Sequence, residues 1–252
     1  MLRGEFNRSA QHLLILRGKE VRHGDVTDLV HGSAEGRTVG AMEERAKCCG
    51  RALRPKPCRL ALYSELRWRV VRREASGAAR VVAGRFGSGP INVQYNSKEG
   101  GAATIEALAM PLQAAASGMD AENDVLFLIL TSHGSRARLA VKAGRLEQTL
   151  TPSNLADMLA GTAVRHKVVV ISACYSGIFI PRLANPDVLV ISAADANHPS
   201  FGCRDKAKWT YFGDAFFNVA LRHAKSLKDA FVVARASSRS ENCASTLSRR
   251  TP

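Results

Sequence analysis

The sequence predicts an α/β protein in which a mostly parallel sheet carries helices on both faces. Residues 125–130, 168–173 and 188–193 are near-continuous runs of Val, Ile and Leu, the pattern of strands covered on both sides. Stretches with apolar residues three and four apart lie among them, as amphipathic helices require. The succession strand, helix, strand, strand, helix is that of parallel crossover units. In such sheets ligands and catalytic groups gather at the carboxyl ends of the strands, so chemistry is sought there.

Taken in order, residues 91–95 read as a short strand and residues 102–116 as a helix with Ile105, Leu108, Leu112 and Ala115 on one face. Pro111 lacks a backbone donor and should kink or shorten that helix. Thr151 is a natural N-cap, with Pro152 at the first helical position and Leu155, Met158 and Leu159 at helical spacing. The turn Asn185-Pro186-Asp187 leads into the third buried run. Residues 214–223 and 226–237 read as consecutive helices, the second opened by Ser226 with Asp229 three residues on. Before Gly84 the pattern fails. Arg, Gly, Ala and scattered Cys mix without sustained period, and apolar pieces at 13–16 and 60–63 are flanked by charge at once. No element is assigned there, and the chain divides into a divergent segment 1–84, a domain 85–245 and a tail 246–252.

At 252 residues, with 46% apolar and 23% charged residues, the chain can bury one full core with something left over. The net charge of +14 would by itself suggest an anionic polymer as partner. Its distribution argues otherwise. Residues 1–84 hold 17 Lys and Arg against 9 Asp and Glu, the remainder 19 against 13, without a basic helix face or interleaved aromatics. Specific nucleic-acid binding is therefore not expected. No stretch approaches the roughly 18 to 20 apolar residues that span a bilayer, and the N-terminus has no apolar core of a signal peptide. A soluble, cytoplasmic chain is the expectation. Cys48, Cys49, Cys58, Cys174, Cys203 and Cys243 form neither a C-x-x-C pair nor a compact framework, so they read as reduced thiols without structural zinc.

Two strands end in chemically loaded turns. Residues 125–130 run into Thr131-Ser132-His133-Gly134-Ser135, and residues 168–173 into Cys174-Tyr175-Ser176-Gly177. If the strands neighbour each other in one parallel sheet, His133 and Cys174 emerge at one edge, within about two strand spacings of roughly 4.8 Å. A thiol nucleophile needs thiolate character and a proton acceptor, and imidazole supplies both. Gly134 lets its own N–H approach a substrate carbonyl and, with the Cys174 N–H, form an oxyanion hole. Taken singly, Cys174 reads as a core thiol and His133 as a satisfied loop histidine. The joint arrangement reverses that preference.

The segments Asp124 through Ser135 and Val170 through Gly177, followed by Ser200-Phe201-Gly202-Cys203 and Thr210-Tyr211-Phe212-Gly213-Asp214, resemble the legumain family of peptidases, particularly its bacterial branch. The resemblance runs over about residues 85–236. It implies a caspase-like sheet, no cofactor, a peptide or protein substrate, and peptide-bond hydrolysis in which Cys174 attacks, His133 handles protons and Gly134 stabilises the oxyanion. It also implies a pocket that favours Asn, sometimes Asp, before the cleaved bond, with the Ser200 region and Asp214 as its substrate-binding positions. For Asp214 a helix N-cap is an equal alternative.

Departures bear on activity. Legumains have acids two positions before the nucleophile and just after it, where this chain has Ser172 and Tyr175. Ser172 also argues against a pocket for Arg or Lys. The hydrophobic first strand of the family is not found in residues 1–84, which therefore read as a divergent front, an unrelated extension or, favoured by their composition, a mis-framed translation. An inactive caspase-like binding module or a truncated gene product is the alternative function. Other chemistries fit poorly: no Walker loop, dinucleotide fingerprint, H-E-x-x-H or G-x-S-x-G elbow occurs.

Overall fold

The computed structural model describes residues 12–18, 59–61, 69–87, 91–96, 103–143, 145–200 and 207–248. Six strands form one sheet, β1 (His12–Gly18), β2 (Arg59–Ala61), β3 (Ile91–Tyr95), β4 (Val125–Thr131), β7 (His166–Ser172) and β8 (Val188–Ser192), in the order β2-β3-β1-β4-β7-β8. All but β1 run the same way: β4, β7 and β8 pair parallel, as do β2 and β3, whereas β1 is antiparallel to both its neighbours. The expected α/β architecture is thus the one observed.

Strand periodicity divides the core into two layers. Val125, Phe127 and Ile129 face one side with Val168, Val170, Leu189 and Ile191. Helix α1 (Arg69–Phe86) lies over them through Ala75, Ala78, Val82 and Phe86, together with Phe216, Phe217 and Leu227 of the C-terminal helices. On the opposite side Leu126, Leu128, Leu130, Val169 and Ile171 meet Leu108 and Leu112 of α2 (Ile105–Ser117) and Leu155 and Leu159 of α3 (Pro152–Ala160). All seven residues of β4 are buried, and each large aliphatic or aromatic side chain there contributes about 1.5–3 kcal/mol by leaving water.

Start signals act as expected at two helices. The Thr151 hydroxyl accepts the Asn154 N–H at 3.1 Å, and Pro152 occupies the first turn of α3. Ser226 accepts the Asp229 N–H at 3.0 Å ahead of the helix Leu227–Ser248.

Three expectations are corrected, and one unanticipated element appears. Helix α2 starts later than residue 102 but continues through Pro111 to Ser117; the proline forfeits one backbone bond, and buried Leu108 and Leu112 anchor the turns on either side of it. A hairpin, β5 (Leu139–Ala143) and β6 (Leu146–Leu150), intervenes between β4 and α3. Its strands alternate too briefly to stand out in sequence.

The other two corrections concern the first 84 residues. Helix α1 lies mostly within them and packs into the common core, so that core reaches back well before Gly84. The slot between β3 and β4 is filled by β1, with His12 opposite Thr131 and Gly18 opposite Val125. No edge is left open in the middle of the sheet. Its apolar run, residues 13–16, is too short and too closely flanked by His12 and Arg17 for periodicity to reveal a strand.

Candidate active site

Register fixes the site. In the parallel pair β4 and β7, Thr131 is the partner of Ser172, and the Ser132 N–H donates to the Ser172 carbonyl at 3.2 Å just beyond the ladder. His133 and Cys174 each follow two residues after these partners, so they leave neighbouring strands at the same level. One strand spacing, about 4.8 Å, separates those strands, tighter than the two allowed for from sequence.

Gly134 seats the histidine loop directly against the cysteine loop. A Cβ at residue 134 would lie 1.9 Å from the Cys174 carbonyl oxygen and 3.0 Å from its carbon. Glycine is required because backbone already fills that space. Beyond it the chain turns into the β5–β6 hairpin: Gly134 bridges Leu139, and the ladder bonds are made by its neighbours, Ala140 N–H to the His133 carbonyl and Ser135 N–H to the Arg138 carbonyl, both 2.9 Å. The Gly134 N–H stands outside that ladder. Burial holds the His133 imidazole below the ordinary histidine range and so favours its neutral form.

The cysteine loop is pinned at successive residues. Cys174 is a partly exposed free thiol whose Sγ–H points to the Ser200 carbonyl at 3.6 Å. Tyr175 has φ +56°, the sole left-handed non-glycine backbone among the described residues, a conformation that costs about 1–3 kcal/mol. Its N–H donates to the His198 carbonyl at 3.0 Å, and the Arg136 guanidinium from the histidine loop lies 5.7 Å from the centre of its ring. Ser176 Oγ accepts the Ala194 N–H at 3.2 Å. A Cβ at Gly177 would come within 2.6 Å of Asp195 and Ala196 backbone atoms. The strained turn is held by the chain leaving β8.

The two positions expected from the resemblance to bind substrate, Ser200 and Asp214, are placed differently. Ser200 is brought beside the thiol by its carbonyl. Asp214 is exposed and accepts the Asn218 side-chain N–H at 2.8 Å. It does not cap its helix: Thr210 does, through a 2.9 Å bond from the Gly213 N–H to the Thr210 hydroxyl. Asp214 instead opens a π-helical stretch, Asp214–Ala220, and with Lys208, Trp209, Thr210, Tyr211 and Asn218 lines an open cleft of about 460 Å³. Cys203, Phe201 and Gly202 lie outside the described residues. Among the described residues no three His, Cys, Asp or Glu side chains are grouped to hold a metal.

One buried acid beside these turns is not apparent from the sequence. Glu74 of α1 is fully buried behind the strand ends, where its carboxylate oxygen accepts the Thr210 N–H at 2.8 Å. Its signal was a lone acid on the helix face shared with Val70 and Ala78, visible only once a helix is assigned to that segment.

No curated protein matches the chain. The Peptidase C13 family matches residues 110–246, more than half of the length, spanning both strand-end motifs and the Thr210 segment. No helix among the described residues is long and apolar enough to cross a membrane. With the His-Gly and Ala-Cys turns level on neighbouring parallel strands, and the family matched over the half of the sheet that carries them, the chain belongs to the Peptidase C13, or legumain, family of cysteine peptidases.

Proposed function

We propose that the protein is a cysteine-type endopeptidase working through a Cys174–His133 dyad. The observation that carries this reading is the level emergence of the two residues from paired strands, with Gly134 against the Cys174 carbonyl. His133, kept neutral by burial, takes the thiol proton as Sγ attacks the scissile carbonyl carbon. The resulting oxyanion receives the N–H groups of Gly134 and Cys174. The Gly134 amide is outside the hairpin ladder, which supports that assignment. A preorganised donor of this kind contributes about 3–4 kcal/mol. Collapse of the intermediate breaks the C–N bond, and the imidazolium returns the proton to the leaving amine. Water, deprotonated by His133, then attacks the thioester, releasing the acid and restoring the thiol.

The residue before the scissile bond is Asn in preference to Arg or Lys. Ser172 provides no charge near the nucleophile, and Asp214 offers acceptors for an amide. A fluorogenic peptide panel varying only that residue tests it. A higher kcat/KM for Asn than for Arg or Lys is expected, and the reverse order refutes the specificity.

A further inference from the structure

We propose that Glu74 is a positioning residue of this peptidase, its side chain hydrogen-bonding the end of the strand that delivers His133 to the turn at Thr210, whose hydroxyl in turn meets the end of the strand that delivers Cys174. The inference rests on the dyad reading above. Glu74 Oε1 lies 3.3 Å from the Thr131 hydroxyl, two residues before His133. Oε2 accepts the Thr210 N–H at 2.8 Å. The Ser172 hydroxyl, two residues before Cys174, lies 3.4 Å from the Thr210 hydroxyl and so joins the same buried cluster. Two separate chain segments thus bond one side chain contributed by a third, and Ser172 joins them through Thr210.

The seat is shaped for that side chain. A Cβ at Gly213 would fall 2.1 Å from Oε2 and 2.4 Å from the carboxyl carbon of Glu74, so glycine there makes room for it. Among the described residues no Lys, Arg or His pairs with Glu74. Burial pushes its carboxyl pKa up, and hydrogen bonds from Thr210 and Thr131, with the nearby Ser172 hydroxyl, offset part of that. A core without function would sooner hold an apolar side chain in this place, because an unpaired buried carboxyl is costly and a well-packed hydrophobe is not. What the carboxyl adds is a common anchor below the dyad.

The role is one of hydrogen bonding, which Gln can reproduce and Met cannot. The test compares Glu74→Gln and Glu74→Met by kcat, KM and the pH profile of Cys174 alkylation with iodoacetamide, with thermal melting as the check on folding. Met should fold yet lower kcat by roughly 10- to 100-fold, the scale of a displaced reacting group, with KM little changed and the alkylation profile displaced. Gln should restore both to near wild type. A wild-type kcat and profile in Glu74→Met overturns the proposal, as does a loss in Gln equal to that in Met. Should Glu74→Met fail to fold, Thr131→Val with Ser172→Ala removes two hydroxyls of the cluster and leaves the carboxyl in place. A displaced profile there supports the proposal, and an unchanged one overturns it. Alkylation reports on Cys174 without any turnover, so failure of the peptidase reading, seen as absence of peptide hydrolysis in the wild type, stays distinct.

Discussion

The edge where His133 and Cys174 emerge and the edge that lines the open cleft are built on different terms. At the first, strand register, two glycines that cannot bear a Cβ and a left-handed Tyr175 fix the backbone residue by residue. At the second, Tyr211 and Asp214 stand exposed where a short helical turn passes into the π-helical stretch Asp214–Ala220, and Asp214 bonds Asn218 one turn on. On the proposed reading, rigidity lies where bonds are broken and the surface that meets substrate is left adjustable, as in catalytic scaffolds with loop-borne specificity.

Disturbing the rigid edge should have the largest effect. Gly134→Ala drives a methyl group into the Cys174 carbonyl, forcing the two loops apart. A loss in kcat/KM on the order of 100-fold is expected, with far-UV circular dichroism unchanged. A variant within roughly threefold of wild type would mean that the loops are not tightly registered.

A smaller effect follows from His133. Burial lowers its pKa from the ordinary 6.5, so between that value and the folded-state pKa the unfolded chain binds more protons than the native one. Its contribution to stability is therefore complete above about pH 6.5 and is lost as pH falls below it. The urea midpoint should drop between pH 7.5 and pH 5.5, and by less in His133→Gln. Equal drops in both proteins would show that His133 is not the group responsible.

The open edge should yield least. Asp214→Ala is expected to keep stability within about 0.5 kcal/mol, as exposed substitutions do, while erasing the preference for Asn over Arg and Lys in the peptide panel. An unaltered preference would assign specificity to other groups.

The same contrast governs what the sequence discloses. Buried parallel strands write their position as unbroken apolar runs, so β4, β7 and β8 and the residues just past their ends were legible, His133 and Cys174 included. Short elements were not. Strand β1 offers too few apolar residues between His12 and Arg17, and β5 and β6 alternate over five residues each. Helix α1 is crowded with Arg, which masked both its apolar face and Glu74. The left-handed Tyr175 and the contact of Gly134 with Cys174 belong to tertiary packing. Sequence could say that glycine follows the histidine, and only the fold says what it makes room for.

Whether Cys174 is the nucleophile can be read by mass-spectrometric mapping of a thiol-reactive peptide probe. An adduct on Cys174 is expected that disappears in Cys174→Ala and persists in Cys203→Ala. Labelling that survives in Cys174→Ala would overturn that assignment.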